Sequence, residues 1–521
     1  MRDNELTGEI RLRVPFDGWD QGNNRALRMA PIQKRMMEPI VRDIDIVTQA
    51  QDRASFVPLL TPGGEPANVY FVDNTAAAGG DGSRELPFNT LAGAQAAAGD
   101  YDTIYILQGD GTAAGQNAGI TLNGAAQRLL GSGVALTFDT SRLQEPDNMP
   151  RWAELNGTTI LAAGAAPIIT NAAGIGIDVT GDDTEIAGII VDGSTSQNIR
   201  ILNADDIIVH DVTLLDGVSH GLLAQYDDNG SYDITVSDSI ADNNGGSGFF
   251  VNVLNDSSSR ATFTNNLSQD NTSRSFHIRT FNTSDVTATV TGNTALNNGS
   301  YGIFTEGQNS GNATATITGN TSNGNQNNVG IYSAFIDNSI GAVDVIGNTT
   351  NGNTGFGILY QARGNGRLTG SVIGNTSNTN TGRGMMIQTR DNAALTATVS
   401  GNSFTGNGNS GVLIETQNAA NMTLSFSENS AAANTNTGFI VNDDSTGIID
   451  ADFGGGTQGS IGGNRSFDNT VVDLNADLDG GALKAENNWW GDAAGLQPAR
   501  VTLDPGTTVD FTPFLTVDPD P

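Results

Sequence analysis

One asparagine column constrains this chain more than any other feature. Asn266, Asn293, Asn320, Asn348, Asn375, Asn402 and Asn429 follow one another at intervals of 27, 27, 28, 27, 27 and 27 residues. Five positions later runs a second column: Asn244, Asn271, Asn298, Asn325, Asn353, Asn380, Asn407 and Asn434. Three residues before the first column stand Val209, Val236, Phe263, Val290, Ile317, Val345, Val372, Val399 and Phe426. A further apolar column follows the turn: Leu222, Phe249, Phe276, Ile303, Ile331, Ile358, Met385, Val412 and Phe439, nearly always preceded by glycine. A unit this short cannot bury a core alone and must stack on its copies. Its segments alternate, are rich in β-branched residues and are bounded by Gly and Asn, as in ATATITGN, so the unit is one turn of a parallel β-helix. Helical repeats need apolar windows of about ten residues or more at 3.6 periodicity, and none occurs.

This fold gives the asparagines a task. Gly319 and its equivalents at 292, 347, 374 and 401 suit a sharp corner at positive φ, and the Asn that follows can turn its amide into the stack. Copies about 4.8 Å apart can then donate to and accept from one another. Such a ladder satisfies polar groups that a tight corner would strand.

Composition narrows the function. The net charge is -33, and residues 1–53 hold nine Arg or Lys against nine Asp or Glu, leaving 15 against 48 in the rest. That balance argues against a nucleic-acid groove, which needs clustered cations. An acidic surface suits a long particle held in solution in an extracellular fluid. There is no cysteine, so disulfide staples, thiol catalysis and thiolate metal sites are excluded. No apolar run is long enough for a membrane helix, and MRDNELTGEI lacks the apolar core of a signal peptide. The chain is therefore expected to be cytoplasmic or to lack its true N-terminus.

The ends differ from the repeats. In PFNTLAGAQAAA (87–98), Asn89 or Thr90 can cap a short helix covering the first turn. ENNWWGDAAG (486–495) and VDFTPFLT (509–516) read as a closing plug, the Trp pair as core or cap rather than a sugar platform. In EIRLRVPF (9–16), apolar residues alternate with polar ones as in a strand with one greasy face, whose partners must lie upstream.

RMMEPIVRDIDIVTQ (35–49), just after that strand, resembles the end of the outer-membrane barrel of inverse autotransporters, the intimin and invasin type of surface protein. VYFVDNTAAAGGDGSRELPFNTLAGAQAA, DTIYILQGDGT and ITLNGAAQRLLGSG resemble the start of the right-handed, pectin-lyase-like β-helix passengers behind such barrels, and NNWWGD with VDFTPFL resembles their close. The resemblance implies a cell-surface or extracellular location, with membrane contact only through a missing upstream barrel. The chain departs from a complete inverse autotransporter in lacking a signal peptide and nearly all barrel strands.

Candidate chemistry is sparse. Asp182, Asp183, Asp192, Asp205, Asp206 and Asp211, with His210 and His220, are the acids and bases to weigh for a polysaccharide hydrolase or lyase. GDD at 181–183 with SHG at 219–221 resembles the polygalacturonase pattern, but the surrounding family residues do not follow, and turn chemistry is the simpler account. No Lys lies between residues 35 and 483, and the few Arg are scattered. GGDGS (79–83) and DDNG (227–230) offer oxygen atoms to Ca2+ without the spacing of an established loop. No catalytic set, no metal set and no cofactor is assigned.

A binding face is the stronger clue. If the Leu222 column points inward, the next residues point out: Leu223, Phe250, His277, Phe304, Tyr332, Leu359, Met386, Leu413 and Ile440. Beside them run Gln225, Asn252, Arg279, Glu306, Ala334, Gln361, Gln388, Glu415 and Asn442. An outward apolar stripe flanked by amides and acids suits an extended glycan or a protein partner. The equal alternative is that the intervening turns cover the stripe and make it a second small core.

The expectation is an all-β chain: a single-stranded right-handed parallel β-helix of about 15 turns and about 27 residues per coil, with an N-terminal strand and linker segment. Its parts are a barrel-end-like segment (1–53), a linker (54–68), an N-terminal cap with less regular coils (69–204), regular repeats (205–445) and last coils with a C-terminal cap (446–521). The function read from this is that of a surface-exposed passenger with a structural or adhesive role, whose partner is a glycan or a surface protein. A carbohydrate-active β-helix enzyme is the alternative, and a viral tailspike would need a trimerisation module that is not evident.

Overall fold

The structure, a computed structural model, describes residues 59–145, 152–326 and 328–519. The strand at 9–16 and the barrel-like segment at 35–49 lie outside the described residues.

Each regular coil lays down two long strands, and between them a short one that shrinks to single parallel bridges at Thr349, Thr376 and Ser403. One coil runs Asp285–Thr291, turns at Gly292 and Asn293, runs Thr294–Leu296, turns again and runs Ile303–Asn309. After two residues the next coil begins at Asn312–Thr318. Every such strand pairs in parallel with its copy one coil on, as Val290 with Ile317 and Ile303 with Ile331. The strands gather into a first sheet of sixteen, a second of seven short strands and a third of fourteen. The described residues form an all-β parallel solenoid of about 15 turns, right-handed and almost without helix. The short pair Leu136–Thr137 and Thr159–Leu161 is an antiparallel exception.

The period-two pattern sends alternate residues inward. The Val209 and Leu222 columns both face the core, each member 0–1% exposed. Rings in equivalent positions stack, Phe249 on Phe276 at 5.3 Å and 14°. Each such buried side chain contributes roughly 1.5–3 kcal/mol.

At the corner between first and second sheets, Gly292, Gly319, Gly347, Gly374 and Gly401 all have φ between 61° and 66°. The next residue is the ladder asparagine. Asn320 shows the pattern: its Nδ2 donates to Asn348 Oδ1 at 2.9 Å and to the Val290 carbonyl at 2.8 Å, and its backbone N–H donates to the same Asn348 Oδ1 at 2.8 Å. Its own Oδ1 accepts the same two donors from Asn293. Every polar atom of the buried amide is thus used. The ladder reaches beyond the regular repeats to Asn464 and Asn488, and the second one to Asn469, across an insertion that makes one interval 35 residues. Asp452 pins the inserted loop by accepting backbone N–H groups of Gly454, Gly456, Gln458 and Ser460. Where Gly217 replaces an asparagine, Asn198 reaches across the gap to Asn244 Oδ1 at 3.0 Å.

Both ends close on the core. Thr90 rather than Asn89 caps the helix Leu91–Ala97, its Oγ1 accepting from Gly93 N at 3.3 Å, and Leu91 and Ala94 are buried. At the other end Trp490 is 2% exposed, and Phe511 and Phe514 pack against the same core.

The ladder yields a stability prediction. Asn348→Ala strands the Asn320 N–H and Nδ2 donors in a buried corner, at about 1–3 kcal/mol for each unsatisfied group. Asn365 lies in an exposed corner, where its Nδ2 bonds Asn338. Asn365→Ala should leave the melting temperature nearly unchanged while Asn348→Ala lowers it by several degrees, measured by calorimetry on both variants.

Candidate functional site: the outer face of the third sheet

The residues expected to bind lie on the outer face of the third sheet, in two registered columns. Phe250, His277, Phe304, Tyr332, Leu359, Met386 and Leu413 align coil by coil. The stripe is not exposed: its members are only 2–8% accessible, so it is the second small core and not an open groove wall. The cause is stacking. Phe250, His277, Phe304 and Tyr332 form a column of rings with centroids 4.2, 5.2 and 4.7 Å apart and interplanar angles of 7°, 11° and 17°. Tyr301, Val329 and Phe356, from the turns that precede the strands, pack along its edge.

The flanking column is mostly buried too. Glu306, Gln361 and Gln388 are 5%, 6% and 1% exposed, whereas Arg279 and Glu415 remain partly open. These buried groups are joined to one another. Tyr332 Oη donates to Gln361 Oε1 at 2.6 Å, Gln361 Nε2 to Gln388, and Gln388 Nε2 to Glu415. Binding through the rings of Phe250, His277, Phe304 and Tyr332, or the heads of Glu306, Gln361 and Gln388, would require breaking these contacts.

His277 sits in the stack with Nε2 2.8 Å from Glu306 Oε1 and no partner on Nδ1. Burial pushes its pKa down to about 4, with Arg274 adding to the effect, although the hydrogen bond to Glu306 opposes it. Burial alone would raise Glu306, but hydrogen bonds from His277 and Gln308 and the nearby Arg274 charge hold it below the usual carboxylate range. The consistent state is a neutral imidazole donating from Nε2 to a carboxylate.

Sequence reasoning singled out Arg279 but missed the other arginines. Arg279, Arg363 and Arg390 fall on outward positions of this face, and Arg274 and Arg383 occupy equivalent positions three residues before the stripe. Far from scattered, they share one face. Their guanidinium groups lie over its rings: Arg274 5.2 Å from Phe304, Arg279 5.6 Å from Phe250 and Arg383 5.6 Å from Phe356. The alternation that marks the stripe also marks Arg279, Arg363 and Arg390, two or four residues further on.

The two hydrolase-like triplets do not converge. Asp182 and Asp183 follow the strand Ile177–Val179, whereas His220 precedes Leu222–Tyr226, so the two triplets lie at opposite ends of the third sheet's strands. Asp183, Asp206 and Asp211 occupy left-handed turns at φ 52–56°. Asp182 Oδ1 accepts Asp205 N at 2.9 Å, and His220 Nδ1 accepts Ser247 N at 2.9 Å. His210 lies on the first sheet with Nε2 3.3 Å from Glu185 Oε1, and Arg128 stands 2.6 Å from Oε2 of the same carboxylate. Burial there raises the Glu185 pKa, but the His210 and Arg128 hydrogen bonds and charges bring it down to about 2. In the loops weighed for Ca2+, Asp81 accepts from Ser83 N and Asp228 from Gly230 N, as in ordinary turns. Among the described residues no group of three or more acids or histidines is placed to hold a metal ion.

Fold and site together define a right-handed parallel β-helix with a cation-bearing, ring-stacked sheet face. The sequence model of the family "Right handed beta helix region" matches residues 165–287. No curated protein matches the chain. Among solved structures it is similar to bacteriophage CBA120 tailspike protein 3, at 13% identity and a TM-score of 0.42, covering 83% of this chain and 60% of that one. It is also similar to the pectate lyase Pel9A, at 15% identity and a TM-score of 0.30 over 72% and 81% of the two chains. A third is the mannuronan C-5 epimerase AlgE6 A-module of Azotobacter vinelandii, at 13% identity and a TM-score of 0.32 over 81% and 93%. The chain thus spans less than two thirds of the tailspike protein's length.

The buried pair predicts acid sensitivity. His277 has a folded pKa near 4 against 6.5 for the free group, so the unfolded chain binds the extra proton between those values. Stability is then full above pH 6.5 and falls as pH drops toward 4, by about 3 kcal/mol from this residue. Glu306, also depressed, adds to the loss below its ordinary value of 4.5. A His277→Phe/Glu306→Leu variant should show a flatter dependence of unfolding free energy on pH between 6.5 and 4, measured by denaturant titration.

Proposed function

We propose that this chain is a surface-exposed β-helix passenger of a bacterial outer-membrane protein, with a structural or adhesive role and a glycan or protein partner along one face. One observation carries the reading: an unbroken registered ladder makes a rod whose strands and corners are satisfied coil by coil. About 15 turns at about 4.8 Å each give a length on the order of 70 Å. Such a rod holds a face away from whatever bears it. The resemblance of residues 35–49 to a barrel end supports the anchoring. Asp183, Asp206 and Asp211 lie in left-handed turns, and Asp182 and Asp205 accept backbone N–H groups, which favours the passenger.

The test is cellular. With an epitope in an exposed turn of the gene product expressed from its own locus, intact cells should bind the antibody, and external protease should remove the signal. Labelling that appears only after permeabilisation would contradict the proposal.

A further inference from the structure

We propose that the outer face of the third sheet, from the Arg274 coil to the Glu415 coil, binds an acidic polysaccharide bearing sulfate or carboxylate groups. This rests on the reading above of a surface protein with a glycan partner, and it names that partner's chemistry.

The chain carries a net -33, and most cations elsewhere on the rod are paired: Arg128 with Glu185 at 2.6 Å, Arg200 with Asp178 at 2.8 Å, Arg260 with Asp233 at 3.1 Å and Arg500 with Asp473 at 2.7 Å. On this face the pattern reverses. Among the described residues, the guanidinium groups of Arg274, Arg363, Arg383 and Arg390 make no hydrogen bond or ion pair, and that of Arg279 bonds only the neutral Asn252, Nε to Oδ1 at 2.9 Å. The Nε atoms of Arg274, Arg383 and Arg390 are buried with no acceptor. A buried unsatisfied donor costs stability, more so when charged, so three such groups on one face call for a ligand that supplies acceptors.

The geometry says which acceptors. The face's two glutamates are engaged: Glu306 by His277 and Gln308, Glu415 by Gln388. Its amides are joined to one another. What remains unsatisfied is guanidinium, which selects carboxylate or sulfate over neutral hydroxyl. Ala362 registers with Thr389, which places Arg363 and Arg390 side by side on adjacent coils, about 4.8 Å apart along the stack. Like charges so placed repel, and a bridging anion relieves the repulsion. Guanidinium groups lying over Phe250, Phe304 and Phe356 hold their orientation before any ligand arrives. The cations recur over about four coils, on the order of 20 Å, which suits an extended chain rather than a single small anion. The acidity of the surrounding surface weighs against a nucleic acid, whose denser charge would extend beyond the face.

Binding of the full chain to dextran sulfate, to polygalacturonate and to neutral dextran, by biolayer interferometry at low and high salt, tests this. At least one acidic polymer should bind, salt should weaken it, and neutral dextran should not bind; the two acidic arms tell sulfate from carboxylate. Arg363→Gln/Arg390→Gln should weaken binding by about tenfold and lower its salt dependence. Arg260→Gln, on the first sheet, should not change it. Because the paired arginines repel and make no ion pair, the double variant should melt no lower than the wild type, which separates lost binding from lost folding. The proposal is overturned if neither acidic polymer binds, if the double variant binds as the wild type does, or if a single-stranded DNA oligonucleotide binds as tightly as the best polysaccharide. Equal binding of neutral dextran would also overturn it while leaving the surface-passenger reading intact. That reading fails separately, on cell labelling.

Discussion

The hydrogen bond from one asparagine side chain to the next is the interaction on which the rest of this structure depends. A corner that turns a strand within two residues leaves buried backbone N–H groups pointing along the solenoid axis, where no strand can meet them. An asparagine amide has two donors and an acceptor oxygen with two lone pairs, and its side chain is short enough to stay inside the corner. Asn320 uses both kinds of group in both directions, toward Asn293 and toward Asn348. An aspartate column would lack the donors and would stack like charges at about 4.8 Å.

The ladder also fixes register, and the register explains the outer face. Once each coil sits squarely on the last, any residue type repeated at the coil period becomes a column in contact with itself. Phenylalanines, a histidine and a tyrosine become a ring stack, and Tyr332, Gln361, Gln388 and Glu415 become a chain of hydrogen bonds. Outward-pointing residues are thereby buried without any covering domain. Arginines on the same face lose their freedom against the rings but close no ion pair with an acid.

Much of this was legible in the sequence because the fold is nearly one-dimensional. The asparagine columns, the inward Val209 and Leu222 columns and the corner glycines each repeat at the coil period, and the structure places all of them as the period demands. The end caps were readable from helix-capping and aromatic signals, although only the structure selects Thr90 over Asn89. Exposure was not legible. Parity tells that Phe304 points outward, but its 4% exposure depends on Tyr301 and Tyr332, which come from another turn and another coil. The arginine cluster was hidden for a related reason. Arg274, Arg279, Arg363, Arg383 and Arg390 are spread over 117 residues and become neighbours only after every coil has been laid on the last.

The central claim, that side-chain amide ladders hold the coils together, is tested most directly by hydrogen exchange of asparagine side-chain amides in protein labelled selectively with 15N-asparagine. The account predicts that the Nδ2 protons of Asn293, Asn320, Asn348 and Asn375 exchange far more slowly than those of Asn338, Asn365 and Asn392 in the exposed corner, and that ladder members exchange together. Ladder amides exchanging as fast as the exposed ones would contradict it.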